Sequence, residues 1–335
     1  MMYMQQPIRI NQIELKNRLV MPPMATSSTK DGRVNEKILN YYSEKSAGGY
    51  IGLIITEHSY VNAQGIANPG QMSISRDSDI EGLAQLVQVI HQNGTKVIAQ
   101  INHAGSAASR KVTGMVTISA SAVLNEGLTG KNGELPEAMT KEQIAQIIED
   151  FAAAARRAKK AGFDGVEIHS AHGYLLNQFY SPLTNKREDE YGVATMEGRL
   201  KLHHEIIQAV RETVGNDFLV ALRLGGCDYT EGGSTIEDSV AAAVLLESYG
   251  IDLLDVSGGM NGYMIRGSKD PGYFSDMTEQ IKKKAAIPVV LTGGITDIDS
   301  AEELLITGKA DLIGVGRAIL KDSLWAKKMM EWQQS

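Results

Sequence analysis

A single cysteine, Cys227, occurs among the 335 residues. That excludes a disulfide framework, a CxxC zinc or iron–sulfur signature and a dithiol redox pair, and it points to a reducing compartment. No apolar run is long enough to span a bilayer. The first residues, MMYMQQPIRI, form neither a charged leader with an apolar core nor a transit peptide, so cytoplasmic residence is the expectation. Prolines number only eight, and no low-complexity linker divides the chain. Blocks of like charge are also absent. The net charge is −7 with Lys and Arg scattered, which argues against nucleic acid or an anionic membrane as the main partner. A small-molecule substrate is left as the expected partner, and a homo-oligomer stays open.

What is present is a repeated pairing of a short apolar run with an amphipathic helical stretch. Candidate strands are 18–21, 52–57, 96–101, 165–169, 218–224, 252–257, 288–292 and 311–316. Near-continuous apolar strands alternating with helices indicate a parallel sheet covered by helices, and eight units favour a (β/α)8 TIM barrel over an open sheet. Residues 1–335 read as one such domain. Residues 7–17 alternate around Asn11-Gln12 as an N-terminal β-hairpin that could plug one end of the barrel. GFDGVEIH, GIDLLDVS and GKADLIGV share a helix-ending Gly and then an Asp just before a strand. The longest irregular stretch, 104–139, follows the third strand; a lid that decides substrate choice and a surface insert are both open readings.

Chemistry concentrates in GVEIHSAHGYLLNQFYSPLTN, residues 165–185, where His169, His172 and Tyr174 arrive together after an apolar run. No acidic or thiol group nearby completes a metal site, so two imidazole donors converging on one oxygen are the better reading. Tyr174 keeps its proton at neutral pH and can donate it, although an aromatic packed at the rim is the bland alternative. The seventh and eighth strands end in Thr292-Gly293-Gly294 and Gly314-Val315-Gly316-Arg317. Glycine turns at these two places commonly hold a phosphate, with Arg317 as a fixed cation. Arg223, inside an apolar strand, needs an anionic or carbonyl partner: a cofactor, or an internal ion pair with Glu167. Gln100 offers an amide at the barrel mouth.

In NRLVMPPMAT (17–26), AQINHAG (99–105), HSAHGYLLNQFYSPLTNKREDEYG (169–192), ALRLGGCDY (221–229), TGGI (292–295) and GVGRAIL (314–320) the chain resembles the Old Yellow Enzyme family of FMN-dependent ene-reductases, over nearly its whole length. The resemblance implies FMN as bound cofactor and NADH or NADPH as transient reductant. It implies that Pro23, Met24, Gln100 and Arg223 line the flavin ring, that Gly293, Gly294, Gly316 and Arg317 hold its phosphate, that His169 and His172 bind the substrate carbonyl, and that Tyr174 is the proton donor. The activity implied is reduction of the activated C=C bond of α,β-unsaturated carbonyl compounds. Several positions depart from the family pattern. Ala25 stands where relatives place a Thr or Cys able to touch the flavin edge, His58 where a small residue near the ring is common, and Ser27 where one subgroup has a substrate-contacting Tyr. Val193 replaces a glycine after Tyr191-Gly192, and the distance to Arg199 is one residue longer than expected. The end at Ser335 is expected to leave out the iron–sulfur and nucleotide domains of larger relatives. Rival activities are reduction of nitro compounds or quinones, N-demethylation, electron transfer to a protein partner, and a flavin-free phosphate-binding aldolase.

Overall fold

Buried parallel strands need apolar side chains on both faces, and eight form where the sequence supplies them. In the computed structural model, which describes residues 2–126 and 133–332, they are β1 (Leu19–Met21), β2 (Leu53–Ile55), β3 (Lys96–Asn102), β4 (Gly165–Ser170), β5 (Leu219–Cys227), β6 (Leu253–Gly258), β7 (Val289–Thr292) and β8 (Leu312–Gly314). Each pairs in parallel with the next, and β8 pairs with β1, so the sheet closes. This is the (β/α)8 barrel. β5 runs on further than its apolar run, through a register shift against β6 between Gly225 and Cys227.

Inside the barrel the side chains sort into two layers. The lower layer is apolar: Val20, Leu53, Ile98, Leu219, Leu253, Val290 and Leu312 pack with Ile10, Ile13 and Leu15 of the hairpin Ile8–Ile10/Ile13–Leu15. The hairpin therefore plugs the end where the strands begin. Polar side chains occupy the layer above, toward the strands' C-terminal ends, and there the site forms.

Local chemistry fixes the surrounding helices. Lys141–Ala161 starts with a capping box in which Thr140 accepts from Gln143 N–H and Gln143 returns the bond, and it ends at Gly162 with φ 89°. Ile144, Ile147, Phe151, Ala154, Ala155 and Ala158 form its buried face. The segment 104–139 is less irregular than its composition indicates. It contains a 3-10 turn (Gly105–Ala107), a helical turn (Arg110–Thr113) and the short parallel strands Ile118–Ser119 and Glu137–Ala138; 127–132 lie outside the described residues.

The repeated Asp has a structural job at the barrel's lower end. Asp164 Oδ2 accepts from Val97 N–H at 2.8 Å, Asp252 Oδ2 from Val220 N–H at 2.8 Å and Asp311 Oδ2 from Val289 N–H at 2.9 Å. Each carboxylate stitches the start of its strand to the preceding one, and Lys96, Arg211 or Lys282 pairs with it. Asp164→Ala removes the acceptor of a buried N–H, so stability should fall by about 1–3 kcal/mol. The urea midpoint is expected to drop at unchanged m-value; an unchanged midpoint would contradict this role.

Candidate active site

The C-terminal ends of the strands surround a cleft of about 340 Å³. Every residue that the sequence assigned to a catalytic or cofactor-binding role lines it. Pro23, Met24 and Ala25 follow β1, His58 follows β2, Gln100 lies on β3, His169 on β4 with His172 and Tyr174 just beyond, and Arg223 on β5. Gly293, Gly294, Gly316 and Arg317 come from the loops after β7 and β8. Ser27 is not part of the lining: it is exposed, with φ 50°, and its hydroxyl donates to Asn68 Oδ1 at 3.0 Å.

Strand register builds the floor. Glu167 is paired with Gln100, and Arg223 with both His169 and Asp255. Gln100 Nε2 donates to Glu167 Oε1 at 2.7 Å. Arg223 Nε stands 3.1 Å from Asp255 Oδ2, and Thr292 Oγ1 donates to Asp255 Oδ1 at 3.1 Å. The ion-pair partner of Arg223 is thus Asp255, from the neighbouring strand, and not Glu167 of the sequence reading. A close pair at an effective dielectric of ~20 gains about 4 kcal/mol, while each buried ion costs several kcal/mol of hydration. One guanidinium cannot offset two carboxylates on those terms. Burial, then the charge of Asp255, pushes the Glu167 carboxyl up to about 8.

The wall of the cleft is a cluster of four rings. His169 and His172 have centroids 5.0 Å apart at 78°, and Tyr174 lies 5.1 Å from His169. His58 stacks on Tyr174 at 5.6 Å and 19°. Burial holds His169 and His172 well below the ordinary imidazole range, with Arg223 and the neighbouring imidazoles adding repulsion. They are neutral N–H donors near pH 7. Burial alone lowers His58 to about 4. Its tautomer follows from its partners. Gln71 Oε1 accepts from Ala67 N–H at 2.8 Å, which fixes the amide so that Nε2 donates to His58 Nδ1 at 3.1 Å. The ring proton of His58 is therefore on Nε2. Burial raises the Tyr174 phenol to about 12, so it stays protonated.

His172 has φ 62°, a conformation costly for a side chain of this size, and its surroundings hold it there. His172 Nε2 and Ser257 Oγ are 2.7 Å apart. The helical turn Leu175–Tyr180 sends back two amides: Asn177 Oδ1 accepts from Gly173 N–H at 2.7 Å and Gln178 Nε2 donates to Gly173 O at 2.7 Å. Gln178 Oε1 also accepts from Ser106 N–H and Ser119 Oγ, at 3.1 and 3.0 Å. The described residues of 104–139 thus buttress this loop from outside, and none of them lines the cleft.

At the opposite end the glycines are required by space. A Cβ on Gly293 or Gly294 would come 2.7 Å from the Tyr273 ring, and one on Gly316 would come 2.8 Å from Met24 Sδ. A short helix starts at Arg317, so its first N–H groups have no intrahelical acceptor. Arg317 is exposed, pairs with no carboxylate among the described residues and touches Met264 Sδ at 3.5 Å. This anion seat, the Pro23–Met24–Ala25 wall and the Gln100–Arg223 floor fit FMN, with Ala25 bringing no hydroxyl. Sequence reasoning passed over Tyr263 and Tyr273, which come from the loop after β6. Tyr263 meets His172 edge-on at 6.0 Å, and Tyr273 Oη donates to Tyr263 O at 2.7 Å. The only signal for them was their place after a barrel strand, where barrel sites are built.

Fold and cleft together define a (β/α)8-barrel enzyme prepared for a planar cofactor with a phosphate tail. Comparison with known proteins makes the class specific. Residues 4–334 match the model of the NADH:flavin oxidoreductase / NADH oxidase family. An NADPH dehydrogenase of Halalkalibacterium halodurans is 39% identical over 323 residues, covering 95% of this chain and 91% of the relative. An NADH oxidase of Thermoanaerobacter brockii is 37% identical over 334 residues, and there the chain spans only 50% of the relative's length. The structure of an old yellow enzyme homologue from Zymomonas mobilis superimposes with a TM-score of 0.85 at 28% identity, covering 98% of this chain and 92% of that one. The chain belongs to the NADH:flavin oxidoreductase / NADH oxidase family, of the old yellow enzyme type, and is an FMN-dependent NAD(P)H oxidoreductase.

The buried imidazoles set a test by pH. Because the folded-state pKa values lie below the ordinary 6.5, the unfolded chain is the better proton acceptor in acid, and these histidines remove stability as pH falls below 6.5. Imidazole NMR signals of His58, His169 and His172 should therefore show no titration midpoint near 6.5. A midpoint there would mean charged donors.

Proposed function

We propose that the chain reduces the activated C=C bond of α,β-unsaturated carbonyl compounds. The observation that carries this is the convergence of two neutral imidazoles, 5.0 Å apart, with a protonated phenol 5.1 Å from one of them. Pro23, Met24, Ala25, His58, Gln100 and Arg223 would bound the FMN ring, and Gly293, Gly294, Gly316 and Arg317 its phosphate. When bound, FMN supplies the hydride, which it receives from NADPH or NADH.

The chain's own residues do the rest. His169 and His172 donate N–H bonds to the carbonyl oxygen of the substrate, which draws electron density from the β carbon and steadies the negative charge that grows on the oxygen. Donors that carry no charge themselves avoid an unpaired cation in a buried wall. Tyr174 delivers its proton to the α carbon, and solvent at the cleft mouth replaces it. Arg223 gives the floor a fixed positive charge on the cofactor side. Tyr263, against His172, stands at the rim of the cleft.

Among the described residues no helix is long and apolar enough to cross a membrane. With a single cysteine, buried as Cys227, a cytoplasmic setting is the one we propose. We also treat residues 1–335 as one catalytic domain.

Tyr174→Phe separates the two halves of the cycle. Stopped-flow reoxidation by a cyclic enone should slow by about 100- to 10,000-fold, the usual worth of a general acid, while anaerobic flavin reduction by NADPH changes little. Equal slowing of both halves would remove the proton-donor assignment. Nitro compounds and quinones belong in the same panel, because their reduction needs no proton at carbon and should be spared.

A further inference from the structure

Glu167 has no part in the mechanism above, yet it is fully buried directly beneath the cleft. The groups around it come from five strands, its own included. Gln100 on β3 gives one amide N–H to Oε1, while Oε2 has no hydrogen-bond partner among the described residues. Arg223 on β5 is held by Asp255 on β6, which Thr292 on β7 also binds. His169 lies two residues along β4 and is neutral. Asp255 therefore has a cation and a hydroxyl, and Glu167 has only an amide.

This cluster carries one positive charge and room for two negative ones. Of the two carboxyls, the one without a cation is where a shared proton goes. A reduced flavin adds a further negative charge on the Arg223 side and competes for the same guanidinium. We propose that Glu167 takes up a proton when the flavin above it is reduced, so that the floor of the cleft keeps its net charge through the redox cycle. The inference rests on the placement of FMN over Arg223 proposed above. In the balance, NADPH passes two electrons and one proton to the flavin as hydride and leaves as NADP+; the reduced flavin carries one negative charge, and the Glu167 carboxylate takes one proton from solvent. With an electrode as reductant, two solvent protons are bound per two electrons, one at flavin N5 and one on Glu167.

The effect is confined to a pH window. The Glu167 carboxyl sits at about 8, so at lower pH it holds its proton in both redox states and only the N5 proton is bound. Above that pH it is ionised over the oxidised flavin and protonated beneath the reduced one. Of the other groups, His58 at about 4 and His169 and His172 well below the ordinary range are already neutral there, and Tyr174 at about 12 stays protonated. Asp255 is the neighbouring carboxyl: burial raises it too, while Arg223 and the Thr292 hydroxyl pull it back down, which leaves the shared proton on Glu167.

The test is a spectroelectrochemical titration of the FMN-loaded enzyme across this range. The midpoint potential should fall about twice as steeply per pH unit above pH 8 as below it, and Glu167→Gln should keep the shallow slope throughout. The wild-type infrared difference spectrum above pH 8 should gain a protonated-carboxyl C=O band on reduction, a readout that needs no variant. A single shallow slope with no such band overturns the proposal, as does a steep slope that persists in Glu167→Gln. A protein with no flavin transition to titrate overturns the cofactor placement and this inference together.

Discussion

Arg223 is a permanent cation sealed inside a barrel, and the rest of the site is arranged around keeping it there. Beneath it the interior is hydrocarbon, from Val20 and Leu219 to the Ile10 and Ile13 plug. Such a floor offers no hydration, so the charge is tolerated because Asp255 stands 3.1 Å away. The ion pair in turn constrains the fold. It links β5 to β6, Thr292 extends the link to β7, and Gln100 with Glu167 links β3 to β4. A polar belt therefore crosses the barrel at one level, and the reacting groups stand on top of it.

The same field explains the wall. Burial first, and then the charge of this guanidinium and the neighbouring imidazoles, keeps His169 and His172 neutral. Neutral rings are good donors toward an oxygen that becomes negative, and they release no proton of their own in the physiological range. In the proposed reaction proton delivery falls to Tyr174, whose phenol is held in its acid form by the same burial. The division of labour between two imidazoles and one phenol thus follows from a single fixed charge and a lack of water.

Much of this was legible in the sequence because barrel strands and chemical side chains leave local marks. Continuous apolar runs gave all eight strands, and the Asn11-Gln12 turn marked the plug. His169, His172, Tyr174 and the two glycine turns stood out by residue type and position. What escaped detection depends on contacts between strands. Asp255 reads as one polar residue in DLLDVS, and only register shows it beside Arg223, which is why Glu167 seemed the partner. Tyr263 and Tyr273 sit in a loop with no periodicity. Segment 104–139 drew attention by length, whereas its described part braces the His172 loop through Gln178. Arg199, which the longer spacing put in question, is buried on Tyr180 and paired with Asp238 at 3.0 Å.

The central claim is that this cleft moves a hydride from a nicotinamide to an enone through one bound flavin. Its most direct test follows the visible absorption of the purified, FMN-loaded protein under anaerobic conditions, first with NADPH or NADH and then with a simple cyclic enone. The account predicts flavin bands that bleach with the nicotinamide and return with the enone, one equivalent for one equivalent. Bands that bleach but return only with oxygen would contradict the enone assignment, and a protein that holds no FMN would contradict the placement of the cofactor on Arg223 and the glycine loops.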